Sequence, residues 1–247
     1  MPLRVGFDLD GTVADMYSAL HREALQLFGE EVLRKAAYKT SQPQEVSGAQ
    51  GGKKPAAAPK TEDELTTTDA MHELHLTGRQ QMQLWDHVKK IENFWSTLPE
   101  LEPGIISRIA KAATERRWEV IFLTTRPSTA GELVQMQSQR WLEAHGFQYP
   151  SVYVVQRSRG KIADALALDA FVDDRPENCL DIAVESKAKV ILVWHGVLTD
   201  VPPGAKRLGV QPVSTISEAM VLLEKLDDIR NKPGIMRSLK RALGTNE

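Results

Sequence analysis

A single cysteine, Cys179, occurs in the chain, which excludes an intrachain disulfide. A lone thiol suits a reducing compartment, so the expected location is cytoplasmic. Long apolar runs are also missing. No stretch approaches the roughly 20 residues that a membrane helix requires, and no membrane partner is expected. Met1-Pro-Leu-Arg4 leads directly into an apolar segment, so no leader peptide is expected ahead of the fold. Charge of one sign is not in excess: Lys plus Arg total 31 against 33 Asp plus Glu, a formal net charge of −2. That balance gives no broad basic field for a nucleic-acid polymer. What remains is an ordinary soluble composition, 42% hydrophobic and 26% charged over 247 residues. It is enough to bury one large core, or a core with a smaller lid.

The most informative stretch lies near the start: Leu3-Arg-Val-Gly-Phe-Asp8-Leu-Asp10-Gly-Thr-Val-Ala-Asp15. Val5 and Phe7 mark a strand, which breaks into two aspartates one residue apart and then Gly11. In a parallel sheet, ligands bind outside the carboxyl ends of the strands. Asp8 falls at that end, and Asp10, two residues on, returns to the same side. Gly11 permits a sharp turn beside a ligand. Two carboxylates this close repel unless a proton or a cation relieves them. A hard cation with oxygen ligands, Mg²⁺ first, is the natural partner. Taken alone, the pair also reads as a turn with two solvated acids. The apolar strand in front of it and the three downstream stretches described below favour the site.

Beyond Asp15 the period changes. Met16, Leu20, Ala24, Leu27 and Phe28 recur at helical spacing and fade near Tyr38. Residues 41–60 are rich in Gly, Pro, Gln and Ala and have little to bury, which reads as a mobile linker, or as a basic arm led by Lys53, Lys54 and Lys60. Order resumes with the helix start Thr61-Glu-Asp-Glu64, and Met82, Trp85, Val88, Ile91 and Trp95 then form a helical stripe. His72, His75 and His87 lack a third close ligand and read as surface or interface histidines.

From Pro103-Gly104 onward, helices and strands alternate. Strands are expected at 118–124, 151–155, 169–173 and 189–194, with helices near 105–113, 133–142, 161–168, 179–184 and 216–223. Such alternation gives an α/β fold with a parallel sheet and helices on both faces. The helical stretch between the first two strands is too long for a simple crossover and reads as an inserted lid. The expected organisation is a catalytic core of residues 1–15 and 99–229, a helical cap of residues 16–98, and a basic tail at 230–247.

Three later positions carry chemistry. Thr124-Thr125-Arg126-Pro127 ends the second strand, where a hydroxyl followed by free N–H groups suits a phosphate oxygen. Thr124 is the first choice, Thr125 is one register away, and Arg126 adds either rim charge or a structural ion pair. Lys161 opens a helix, where a cation is electrostatically misplaced unless an anion is near; Arg157 and Arg159 compete for that role. Phe171-Val-Asp173-Asp174-Arg-Pro-Glu177 is a second apolar strand ending in paired acids, with Pro176 suited to the first turn of a helix. If the two acid-bearing strands are neighbours, four carboxylates converge, and a divalent cation is needed to stabilise them.

The set Phe7-Asp8-Leu-Asp10-Gly-Thr-Val, Thr124, Lys161 and Asp173-Asp174 resembles the four ordered motifs of the haloacid dehalogenase superfamily of phosphotransferases. That resemblance implies a Rossmann-like core with a helical cap after the first strand. It implies that Asp8 attacks phosphorus and that Asp10 shuttles the proton. It also implies that Thr124 and Lys161 balance phosphoryl charge, and that Asp174 ligates Mg²⁺ with Asp173 close by or acting through water. Phe94-Trp-Ser-Thr-Leu-Pro-Glu-Leu-Glu-Pro-Gly104, Phe122-Leu-Thr-Thr-Arg-Pro127, Arg140-Trp-Leu-Glu143 and Val172-Asp-Asp-Arg-Pro176 further resemble the 5′(3′)-deoxyribonucleotidases, over roughly residues 94–195 and the first motif. The expected activity is hydrolysis of small phosphomonoesters, (deoxy)nucleoside monophosphates first. Sugar phosphates are the runner-up, and a non-catalytic phosphate-binding module is the third reading. Phe94 and Trp95 serve either to stack on a base or to pack the cap.

Overall fold

The structure is a computed structural model, and it describes residues 2–34 and 74–231. The expected linker at 41–60, the helix start at Thr61, His72 and the tail beyond Asn231 lie outside the described residues. Six strands form one parallel sheet: β1 (Arg4–Asp8), β2 (Glu119–Thr124), β3 (Ser151–Val154), β4 (Ala170–Asp173), β5 (Lys189–Val193) and β6 (Gln211–Val213), in the order β3-β2-β1-β4-β5-β6. The helices are α1 (Met16–Phe28), α2 (Gly78–Val88), α3 (Ile105–Arg116), α4 (Val134–Ala144), α5 (Arg159–Ala165), α6 (Pro176–Glu185), α7 (Pro203–Arg207) and α8 (Ile216–Asn231). This is the parallel α/β sheet that the alternation predicts and the Rossmann-like core that the resemblance implies.

The strand order places the site. The chain runs outward from β1 through β2 to β3, then returns to the other side of β1 for β4, β5 and β6. The reversal falls between β1 and β4, and a ligand crevice opens outside the carboxyl ends of strands at such a switch point. Both strands end in aspartates. Their register pairs Phe7 with Val172, so Asp8 and Asp173 follow at the same height. On the other flank Asp8 pairs with Leu123, and Thr124 is the next residue. The backbone ladder alone therefore brings the first, second and fourth motifs together.

β1 is buried from Val5 to Asp8 and β4 throughout, as expected of central strands covered on both faces. Phe171, Leu123, Leu192, Cys179 and Ile182 share one core cluster. Cys179 is fully buried, and burial pushes its thiol well above the ordinary value, which leaves it unreactive. The expected strands are all present, as are the expected helices that fall within the described residues, with boundaries shifted by a few residues. β6 and α7 are additions: three and five residues with Pro212 or Pro203 in them are too short for periodicity to register.

The chain divides into two compact units. One contains the sheet. The other comprises residues 14–99 and 125–141, so it draws on a segment after β2 as well as on the long insertion after β1. Within this second unit Thr77 and Gln80 form a capping box at the start of α2, and His87 on α2 meets Glu23 on α1 at 3.2 Å. The buried face of α2 is Leu84, Trp85 and Val88. Met82, expected on that stripe, is 69% exposed. Phe94–Ser96 is a separate 3₁₀ turn. Arg230 lies in the last turn of α8 and pairs with Asp169. Among the described residues, no helix is long and apolar enough to cross a membrane.

Candidate active site

The site is built on the ends of β1, β2 and β4. Asp8, Asp173 and Asp174 each offer a carboxylate oxygen, and the three atoms lie within 4.8 Å of one another. Asp10 is not in that group. It stands in the turn beyond β1, half-buried, and its Oδ2 accepts from Thr124 Oγ1 at 3.2 Å. Thr124 thus stands at the expected strand end with its hydroxyl on the second aspartate, while Thr125 is half-buried in the following segment.

The turn is closed by Gly11, whose φ is +81°. A Cβ there would lie 2.1 Å from Asp174 Oδ2, so both backbone conformation and space require glycine. Thr12 Oγ1 donates to Asp174 Oδ1 at 3.2 Å. The first and fourth motifs therefore touch through a glycine and a hydroxyl.

The cation that reaches the carboxylates is Arg159. Its Nη1 donates to Asp8 Oδ1 and to Asp173 Oδ2, both at 2.6 Å, and the side chain is almost wholly buried. Lys161, the expected cation, is exposed two residues further along α5, and its backbone N–H donates to Ser158 Oγ at 3.2 Å. The reason is helical geometry. Arg159 is the first residue of α5, and helical side chains lean back toward the N-terminus. The first residue therefore has the shortest path to the strand ends. Ser158 caps this helix, and Asp181 of α6 holds the turn by accepting from Ser158 Oγ at 2.9 Å and from Gly160 N at 2.9 Å.

Asp173 is already engaged on both oxygens. Oδ1 accepts from Arg175 N at 2.9 Å and Asn178 Nδ2 at 3.1 Å, and Oδ2 accepts from Arg159 and Asn178. Its evident work is to hold Arg159 in place.

Two buried acids, Asp8 and Asp173, and the half-buried Asp174 face one guanidinium, and the electrostatics show the imbalance. Burial pushes the Asp8 carboxyl up to about 7; Arg159 opposes this, while Asp173 and Asp10 add to it. Asp174 is also pushed well above its ordinary value, by burial first and then by Asp8 and Asp173. Arg159 is held above its own ordinary value because Asp8 and Asp173 outweigh the effect of burial. Hard oxygen donors, no soft ligand in the cluster and an unbalanced negative charge all fit Mg²⁺. Asp8 and Asp174 are the residues that would hold it.

Phe94, Trp95 and Arg126 belong to the second unit, and of the two roles the sequence leaves open to the rings, stacking or packing, their surroundings are those of packing. Both rings are 0% exposed. Trp95 Nε1 donates to Pro127 O at 2.9 Å, its ring meets Phe94 edge-on at 5.1 Å, and the guanidinium of Arg126 lies 4.9 Å above it. Arg126, itself 3% exposed, donates to Ser138 Oγ at 2.9 Å. These residues pack this unit, and no ring face is open to a base.

No protein-family model matches the sequence, and no curated protein matches it. Solved structures do match. A predicted phosphatase from Clostridium acetobutylicum is similar at 14% identity with a TM-score of 0.52, over 91% of this chain and 99% of that one. A HAD family hydrolase from Deinococcus radiodurans R1, solved with bound phosphate and sodium, is similar at 13% identity with a TM-score of 0.51, over 91% and 96%. The fold is that of haloacid dehalogenase-like hydrolases. It accounts for the strand order. Sequence reasoning weighed Arg159 only as a competitor and did not reach Thr12, Asn178, Asp181 or His195. The N-cap signal of Ser158 ahead of Arg159 was the available clue.

Proposed function

We propose that the protein is a Mg²⁺-dependent phosphomonoesterase that works through an aspartyl-phosphate on Asp8. The observation that carries this reading is the pairing of a buried carboxylate, Asp8, with a second one, Asp10, two residues on and held by Thr124. One is placed as nucleophile and the other as proton carrier. A carboxylate oxygen of Asp8 attacks phosphorus, the bond to the ester oxygen breaks, and Asp10 gives its proton to the leaving alkoxide. Asp10 then takes a proton from water as the water oxygen attacks phosphorus. The Asp8–phosphorus bond breaks and inorganic phosphate leaves. Arg159 and Thr124 stand beside the transferring group and offset its charge. Mg²⁺, when bound, supplies the positive charge that keeps Asp8 ionised and balances the phosphoryl oxygens.

The preferred substrate class is the nucleoside monophosphates. It rests on the sequence likeness to deoxyribonucleotidases between residues 94 and 195. Sugar phosphates fit the same core chemistry equally well. The test is a Mg²⁺ assay on nucleoside monophosphates, sugar phosphates and an aryl phosphate. Asp8→Asn is expected to stay folded and lose turnover on every substrate the parent cleaves. Parental turnover in that variant refutes the nucleophile, and a sugar phosphate that outperforms every nucleotide shifts the substrate class.

A further inference from the structure

We infer that His195 is a positioning residue that fixes the catalytic turn by holding the Gly11 carbonyl, an inference that rests on the phosphatase reading above. His195 follows β5 by two residues, at the same carboxyl edge of the sheet where Asp8 and Asp173 end. Its Nε2 lies 2.6 Å from Gly11 O. A carbonyl oxygen only accepts, so Nε2 must carry the proton and donate it. Neither the four motifs nor the reaction scheme assigns this histidine a role.

The support under the ring is rigid. Trp194 N–H donates to Val213 O of β6 at 2.8 Å. Trp194 Nε1 donates to Val197 O at 3.0 Å, which closes a short turn around His195 and Gly196. The residue before the histidine is thus tied both to the sheet and to the far side of its own turn. A donor placed this way is preorganised for its acceptor.

The acceptor side is where restraint is needed. With no Cβ at Gly11, the Gly11–Thr12 peptide plane has the widest choice of orientations in the turn. The other anchors act elsewhere. Thr124 Oγ1 holds the Asp10 carboxylate, Thr12 Oγ1 holds Asp174, and Val13 N donates to Leu9 O at 2.9 Å. His195 acts on the peptide plane itself, one residue beyond Asp10. Proton transfer by Asp10 demands hydrogen-bond reach to the leaving oxygen. A displacement of about 1 Å is worth about a hundredfold in rate.

The test uses the full chain with His195→Ala and His195→Gln. His195 is exposed, and retention of the Mg²⁺-induced rise in Tm confirms an intact fold and metal site. With an aryl phosphate, His195→Ala should lower kcat by roughly ten- to a hundredfold with little change in KM. His195→Gln, whose carboxamide N–H can donate, should recover most of kcat. Amide hydrogen exchange across residues 11–14 should quicken in His195→Ala and return toward the parent rate in His195→Gln. Parental kcat in the alanine variant overturns the proposal, as does unchanged exchange, or a glutamine variant no better than alanine. If the parent hydrolyses no phosphomonoester, the functional reading fails, while the exchange rates still decide whether His195 holds the turn.

Discussion

The guanidinium of Arg159 meets the carboxylate of Asp8 at 2.6 Å, and both groups are almost wholly buried. A buried charge pair of this kind is costly to break, because removing one partner strands the other. It makes Arg159, and not the neighbouring Lys161, the cation that sets the state of the Asp8 carboxylate.

Arg159→Ala should therefore lose turnover and roughly 3–5 kcal/mol of stability, the usual cost of orphaning a buried charge. Lys161→Ala lies on an exposed position and should shift stability by no more than about 0.5 kcal/mol, with far less effect on kcat. Chemical denaturation and steady-state kinetics on the two variants separate them. The opposite ranking restores Lys161 to the role the sequence suggested.

Stability should depend on pH in a direction fixed by the buried acids. Asp8 is raised to about 7 and Asp174 is raised as well. Between the ordinary carboxylate range and those values, the folded state keeps protons that the unfolded chain has released. Unfolding then releases protons, and stability falls as pH rises through that window. The metal-free protein should have a lower Tm at pH about 7.5 than at about 5.5. Saturating Mg²⁺ should raise Tm more at the higher pH, because the cation competes with protons for the same oxygens. A Mg²⁺-induced shift that is equal at both pH values would count against Asp8 and Asp174 as its ligands.

Trp95→Ala should act through packing. The ring is fully buried among Phe94, Trp85 and Arg126, so truncation should cost roughly 3–5 kcal/mol. At about 2–4 °C per kcal/mol for a chain of this size, Tm should drop by roughly 6–20 °C. Activity on a nucleotide and on an aryl phosphate should fall together. A selective loss on the nucleotide with unchanged Tm would return the indole to substrate contact.

The parallel sheet was readable because each of the first five strands is an apolar run with an abrupt chemical change at its end. Asp8, Thr124 and Asp173 could be read as strand-end residues for the same reason. β6 escaped because Gln211-Pro-Val213 offers neither length nor alternation. Arg159 was not separable from Arg157 and Lys161 in sequence, since the choice depends on which residue opens α5, and boundaries shift by one or two residues. The choice between stacking and packing for Trp95 stayed open in sequence for a related reason. An aromatic near a motif looks the same in sequence whether its ring is open or, as here, covered by an arginine. Asp181 and His195 had no local signal, because each acts on a partner brought close only by the sheet order.

Gly160 gives the site a ruler. α5 lies so close to α6 that a Cβ on Gly160 would fall 2.3 Å from the Asp181 carbonyl oxygen and 2.7 Å from Glu185 Cβ. A single absent methyl group thus sets the separation of two helices, and that separation sets how far the guanidinium next door extends over the strand ends. Widening the gap by the thickness of one carbon would draw the guanidinium back from Asp8 while every motif residue stayed unchanged. The choice of cation is therefore written partly in a residue with no side chain, at the contact between two helices.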